Sequence, residues 1–160
     1  MIALIVAFDQ VTKILAVHFL QYKPAVTFIP KVVQFNYAEN TGMAFSLFSG
    51  ARWLFIVLTV IVCAVAMWYL FSNRSNSLWE YWSIGVIIAG GLGNLIDRAL
   101  HSYVIDFIEP IFMNFAIFNI ADSAVTLGAT SLVICLLVDV FTKKDNREKK
   151  TKEPEEKQDA

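Results

Sequence analysis

Polar and ionisable side chains are costly inside an apolar stretch, so the few that occur there in this 160-residue chain carry chemical information. Asp97, Asp106 and Asp122 are the carboxylates best placed for chemistry, Asp106 on a connecting segment and the other two at the ends of apolar runs, so that a loop carboxyl and a helix carboxyl can pair. Two carboxyls brought close cannot both ionise, so they share a proton and serve as general acid and general base on a water. Such a pair needs no metal, cofactor or covalent nucleophile. Around it fall Asn94, Asp97 and Arg98, which close one apolar run, and Asn119, which opens the next. Asp97 is expected to partner Arg98 rather than touch water. Near the start, Asp9, Thr12 and Lys13 share one helical face at i, i+3 and i+4. An internal Asp9–Lys13 ion pair would make these charges tolerable, and a direct part in the site is an equal alternative.

Other chemistries lack their parts. The only histidines are His18 and His101, so a zinc site of the His-Glu-x-x-His kind is absent. No Gly-x-Ser-x-Gly elbow and no glycine-rich phosphate loop occurs. Asp97, Asp106, Glu109 and Asp122 are hard oxygen ligands for a divalent cation, but Arg98 would oppose one. A metal-free carboxyl pair ranks first, and Glu109 is assigned no chemistry. Cys63 and Cys135 lie inside apolar runs and read as small buried residues.

The elements that must hold these groups are membrane helices. Of the 27 charges (13 Lys+Arg and 14 Asp+Glu), 13 fall in residues 142–160, leaving 14 for the first 141. Soluble domains carry roughly 25% charged residues, so a water-soluble globule is excluded. A net charge of −1 and a pI of 6.1 give no basic face for nucleic acid. Residues 53–71 have no charge, 117–138 only Asp122, and 81–98 none before Asp97. Residues 1–20 form a fourth candidate, interrupted by Asp9 and Lys13; a cleavable signal peptide fits poorly, lacking a basic lead and a small-x-small cleavage site. The expected class is an all-α polytopic membrane protein with four transmembrane helices, at about 1–20, 53–71, 79–98 and 117–141. Residues 1–141 form a single membrane-embedded domain, and 142–160 a disordered, charged tail.

Lysine and arginine crowd the tail, while the connections 21–52 and 99–116 hold only Lys23, Lys31 and Arg52. This bias predicts both termini on the cytoplasmic side and both long connections outside. Residues 32–37 alternate apolar and polar and 43–48 are apolar, so a hairpin turning at 38–42 is expected. Residues 103–108 read as a strand that stops at Glu109-Pro110. Both segments are apolar enough to roof a site at the outer boundary. There the polar ends of helices three and four meet, bringing Asp97, Arg98, Asp106 and Asp122 together. A small proton- or ion-coupled transporter or channel subunit is the alternative function. Its pathway would need ionisable groups through the full membrane depth, whereas here they cluster at one end.

Five blocks, in order, resemble the bacterial lipoprotein signal peptidase (signal peptidase II) family: Asp9-Gln10-Val11-Thr12-Lys13, Asn40-Thr41-Gly42-Met43-Ala44-Phe45, Gly90-Gly91-Leu92-Gly93-Asn94-Leu95-Ile96-Asp97-Arg98, Val104-Ile105-Asp106-Phe107 and Phe118-Asn119-Ile120-Ala121-Asp122-Ser123. The resemblance covers roughly residues 3–140. It implies a multi-pass aspartyl endopeptidase of the bacterial cytoplasmic (inner) membrane, with its active site near the outer leaflet. The substrate would be a prolipoprotein, cut before a cysteine already carrying diacylglyceryl. The resemblance further implies Asp106 and Asp122 as catalytic residues, and Asn40, Gly42, Asn94, Arg98 and Asn119 as residues that shape the site and hold substrate. Asp9 and Lys13 would support it from the first helix. A small extracytoplasmic β-cradle from the first outer loop and a mobile second extracytoplasmic loop over the site complete the implied fold. No cofactor, metal or nucleic acid is expected, and a monomer in membrane lipid is. One departure is the lead: eight residues precede Asp9, about 12 Å of helix, shorter than in most of the family. Either the first helix begins within the membrane or residues precede the given start.

Overall fold

A computed structural model describes residues 1–42, 52–72 and 77–156, with the side chains of the last helix described through 142. Each long apolar run forms a helix: α1 Ile2–Leu20, α2 Arg52–Phe71, α3 Leu78–His101 and α4 Ile120–Glu156. All four are long and apolar enough to cross a membrane. Their large apolar side chains mostly face outward (Leu4, Phe8, Trp53, Leu127 and Phe141 are exposed), as expected where lipid rather than water is the solvent.

The helix ends are set by local chemistry. Ser77 caps α3 by accepting the Glu80 N–H, and Ser102 ends it in the left-handed region at φ 75° with its own N–H on the Arg98 carbonyl. Asn119 and Asp122 form a reciprocal capping box at α4. The Asp122 N–H donates to Asn119 Oδ1 at 2.9 Å, and the Asn119 N–H donates to Asp122 Oδ2 at 3.2 Å. This box starts α4 at Ile120, later than the expected 117, because Phe118 is still bridged to Ile108. At its other end α4 runs on to Glu156, into the stretch that composition predicts as disordered. Lys, Arg and Glu dominate there and recur at i, i+4 (Lys144, Glu148, Lys152), a spacing that favours helix.

Close approach around α3 depends on missing side chains. A Cβ at Gly90 would lie 2.4 Å from the Ala121 carbonyl oxygen of α4, and one at Gly93 would lie 2.6 Å from Asp9 Oδ2 of α1. These glycines let α1, α3 and α4 bring their polar faces into contact.

A three-stranded sheet lies at the end of the bundle where α3 finishes and α4 begins: β1 Val26–Ile29, β2 Val33–Asn40 and β3 Val104–Pro110, in the order β1-β2-β3, antiparallel throughout. This corrects the turn expected at 38–42 over its first three residues. The partner of 33–40 on its own side of the chain is the preceding segment 26–29, and the reversal falls at 30–32, where Lys31 takes φ 64°. Residues 38–40 do not turn but pair with β3, Ala38 opposite Asp106 and Asn40 opposite Val104. A long-range strand partner overrides the local turn chemistry of Ala38-Glu39-Asn40. The other expected arm, 43–48, lies outside the described residues. The connection 99–116 is likewise more than a cover, since it supplies β3. That strand continues through Glu109 to Pro110, and Glu109 Oε2 accepts from Gln34 Nε2 at 2.7 Å and Asn36 Nδ2 at 2.9 Å of the neighbouring strand. Ala16 of α1 packs with Ile105 and Phe107 of β3, with Val17, Leu20, Phe35 and Tyr37 around them. The sheet is thereby seated on α1.

Candidate functional site

The site is built where α1, α3, the first turn of α4 and the strands β2 and β3 meet. Its base is an ion-paired cluster. Lys13 Nζ lies 2.9 Å from Asp9 Oδ2 and 2.9 Å from Asp97 Oδ2, and the exposure of all three side chains is 1%. Buried charges of this kind persist only when paired and hydrogen-bonded. Here the remaining acceptors are filled: Asp9 Oδ1 accepts the Ala121 N–H at 2.8 Å and Asp97 Oδ1 accepts from Gln10 Nε2, while Asp97 Oδ2 also accepts the Ile105 N–H at 3.1 Å. Asp9 thus holds an orphan N–H of the α4 N-terminus from another helix, and Asp97 holds β3.

The expected Asp97–Arg98 partnership is corrected by this arrangement. Consecutive helix residues point about 100° apart, so Asp97 faces α1 and Lys13 while Arg98 faces away from it. Arg98 Nη2 donates to the Gly42 carbonyl at 3.0 Å, and its guanidinium lies 5.1 Å from the Phe55 ring centroid. The expected Asp9–Lys13 pair is present, extended by Asp97.

Above this base, amides link the other two carboxyls. Asp106 Oδ1 accepts from Asn119 Nδ2 at 2.7 Å, and its Oδ2 accepts from Asn40 Nδ2 at 3.0 Å. Asp122 Oδ1 accepts from Asn94 Nδ2 at 2.7 Å, while Oδ2 receives the Asn119 N–H of the capping box. Asn119 therefore touches both acids, one with its side chain and one with its backbone. Asn40 is itself held in an Asx turn, its Oδ1 accepting the Gly42 N–H at 3.0 Å. All ten residues singled out in the sequence (Asp9, Lys13, Asn40, Gly42, Asn94, Asp97, Arg98, Asp106, Asn119 and Asp122) join this network.

Burial differs within the acid pair. Asp106 is 2% exposed, whereas Asp122 is half-buried. Asp122 borders a cleft of about 830 Å³ between α2, α3 and α4, with Asn40, Asn94 and Arg98 at the same polar end and Cys63, Ile87 and Leu127 farther along. The Asp106 carboxyl is pushed up to about 7, first by burial and then by the negative charge of Asp122, against the opposing hydrogen bonds of Asn40 and Asn119 and the charge of Lys13. A proton held at Asp106 beside the Asp122 carboxyl would make an acid–base pair, Asp122 on the apolar cleft and Asp106 buried next to it. Among the described residues, no group of three or more His, Cys, Asp or Glu side chains is arranged to hold a metal ion.

The sequence reading missed two contributors. Gln10 Nε2 lies 3.2 Å from Asp9 Oδ2, 3.1 Å from the Gly93 carbonyl and 3.1 Å from Asp97 Oδ1, knitting α1 to α3. Its place beside Asp9 was the available signal. Arg52, at the start of α2, donates to the Arg98 and Ala99 carbonyls at 2.8 and 2.7 Å and so caps α3. Nothing local to Arg52 pointed there.

Comparison with known proteins gives the family and the fold. Residues 1–138 match the sequence model of the family described as signal peptidase (SPase) II. A lipoprotein signal peptidase of Streptococcus pyogenes serotype M2 is 44% identical over 133 residues, 83% of this chain and 88% of that protein. One from Streptococcus agalactiae serotype Ia is 40% identical over 143 residues, 89% of this chain and 90% of that protein. Two solved structures share the fold, both described as bacterial membrane enzymes obtained by the in meso method. The one at 2.3 Å resolution has a TM-score of 0.81 and 33% identity, covering 89% of this chain and 88% of its own. The one at 1.9 Å has a TM-score of 0.77 and 34% identity, covering 85% and 89%.

Proposed function

The chain belongs to the signal peptidase II family, and from that premise we propose that it is an aspartyl endopeptidase that removes the signal peptide of prolipoproteins, cutting before the diacylglyceryl-modified cysteine. The observation that carries the aspartyl mechanism is the single asparagine, Asn119, bonded to both Asp106 and Asp122 beside the cleft. Asp122 takes a proton from water, whose oxygen attacks the scissile carbonyl carbon. Asp106 gives its proton to the carbonyl oxygen, so the tetrahedral intermediate forms without a full negative charge on that oxygen. On collapse, Asp122 delivers its proton to the leaving nitrogen, the C–N bond breaks, and the carbonyl oxygen returns its proton to Asp106. No atom is left unbalanced.

The cleft suits a substrate that is half peptide, half lipid. Its polar end offers Arg98, Asn40 and Asn94, and its far end is apolar and open toward the helices. We place the polar end at the outer leaflet of the bacterial cytoplasmic membrane, both termini on the cytoplasmic side, and the working form as a monomer in lipid; the loop charge bias supports this orientation. A transporter is disfavoured by the same charges, which cluster at one end of the bundle.

The test is direct. Purified protein in detergent should cleave a diacylglyceryl-modified prolipoprotein immediately before the modified cysteine and leave the unmodified precursor intact. Cleavage elsewhere, or equal cleavage of both forms, would overturn the assignment.

A further inference from the structure

Lys13 is 1% exposed and its ammonium is in contact with neither Asp106 nor Asp122. Its three N–H bonds are nonetheless all directed, to Asp9, to Asp97 and, at 3.0 Å, to Asn94 Oδ1. An ammonium only donates, whereas the two ends of an asparagine amide differ in polarity but not in shape. The ammonium therefore decides which way Asn94 points. With its oxygen turned to Lys13, its NH2 meets Asp122 Oδ1 at 2.7 Å. The same Asn94 oxygen accepts from Asn119 Nδ2 at 3.2 Å. The second amide is oriented by the backbone, its oxygen taking the Asp122 N–H and its Nδ2 reaching the Ile105 carbonyl as well as Asp106 Oδ1. The cation thus orders Asn94, and Asn94 delivers a donor to Asp122. A reversed Asn94 would set oxygen against oxygen at Asp122.

We infer that Lys13 is a positioning residue for hydrolysis: clamped between Asp9 and Asp97, it locks the polarity of Asn94 and thereby holds Asp122 in working register with Asp106. This rests on the assignment of Asp106 and Asp122 as the acting pair. It assigns the first-helix cluster a part in the reaction beyond making its own charges tolerable.

The experiment compares variants of the full chain on diacylglyceryl-modified prolipoprotein, reading kcat and KM separately, with melting measured alongside. Lys13→Met should lower kcat about 100-fold, the scale of loss when reacting groups are slightly misplaced. KM should stay within about threefold, because the cleft lining is untouched. Lys13→Arg should recover part of kcat, since the cation and its donors return. Should Lys13→Met fail to fold, Asn94→Asp decides. It keeps an acceptor for Lys13, and so the packing of the cluster, but has no N–H for Asp122. It should be folded and as slow as expected for Lys13→Met. A folded Lys13→Met or Asn94→Asp chain with kcat within about threefold of the parent overturns the positioning role. Asp122→Asn runs beside them: if it is inactive while these variants are active, only the role of Lys13 fails, and if it is active, the acid pair itself is wrongly assigned.

Discussion

Asp9 and Asp97 flank an ammonium, whereas Asp106 and Asp122, one layer above, meet only neutral amides. Three of these four carboxyls are buried to 2% exposure or less, and the fourth, Asp122, is half-buried at the cleft. What separates the pairs is the partner. Beside Lys13 both carboxylates have Coulombic compensation, and their further bonds tie elements together: α1 to α4, α3 to β3 and α3 to α1. In the upper pair no cation is in contact, so burial and mutual repulsion favour keeping one proton. A residue type that serves as a structural clamp in one layer is, in the proposed reaction, a proton carrier in the next, without any change in the side chain.

The largest effect that could break this contrast is on turnover. Asp106→Asn and Asp122→Asn should each lower cleavage by about 10⁴-fold, and the double variant should be little worse, because groups acting as a unit lose function together. The proteins should remain folded, since Asn keeps the shape of Asp. Substantial activity in either single variant, measured on lipid-modified substrate, would remove the distinction between the pairs.

In the lower pair the expected loss is stability rather than chemistry. Asp97→Asn leaves Lys13 paired with Asp9 alone and should destabilise the protein by about 1.5–3 kcal/mol, the usual worth of hydrogen bonds to a charged group. Molecules that stay folded at low temperature should retain far more activity than Asp122→Asn. Thermal melting together with low-temperature turnover reads both. An Asp97→Asn chain that melts normally but is inactive would place Asp97 in the chemistry.

A smaller effect lies in pH. Asp106 titrates at about 7 in the folded protein against an ordinary 3.8. Its folded value is raised, so the stabilisation from binding that proton is complete below about pH 4 and is lost as pH rises through about 7. Asp106→Asn carries no such proton. Its melting temperature relative to the parent should therefore move in the variant's favour across that window. A difference flat from pH 4 to 8 would mean that Asp106 is ionised throughout, and the contrast with Asp9 and Asp97 would disappear. The smallest expected effect is none: exhaustive chelation should leave the cleavage rate unchanged, and a loss restored by added divalent cation would put a metal where the shared proton is proposed.

Four apolar runs and the sparse charges within them were legible in the sequence because lipid imposes a length and a price on each span that no tertiary contact can waive. The same reasoning marked Asn94, Asp97, Arg98, Asn119 and Asp122, while the choice of Asp106 as the partner of Asp122, and Asn40 beside it, came from the resemblance of the sequence blocks; Asn119-Ile120-Ala121-Asp122 carries its capping box in its own spacing. What only the tertiary structure decided was partnership. Asp97 and Arg98 are neighbours in sequence yet face different helices, because a helix turns about 100° per residue, and the cation that Asp97 meets is Lys13, 84 positions away. Ala38-Glu39-Asn40 reads locally as a turn and becomes strand because β3 offers its edge. Chain composition determines which groups must be hidden from lipid; the crossing of α1 over Gly93 and the seating of β3 on α1 determine which of them meet, and so which carboxyls are neutralised by a cation and which are left to hold a proton.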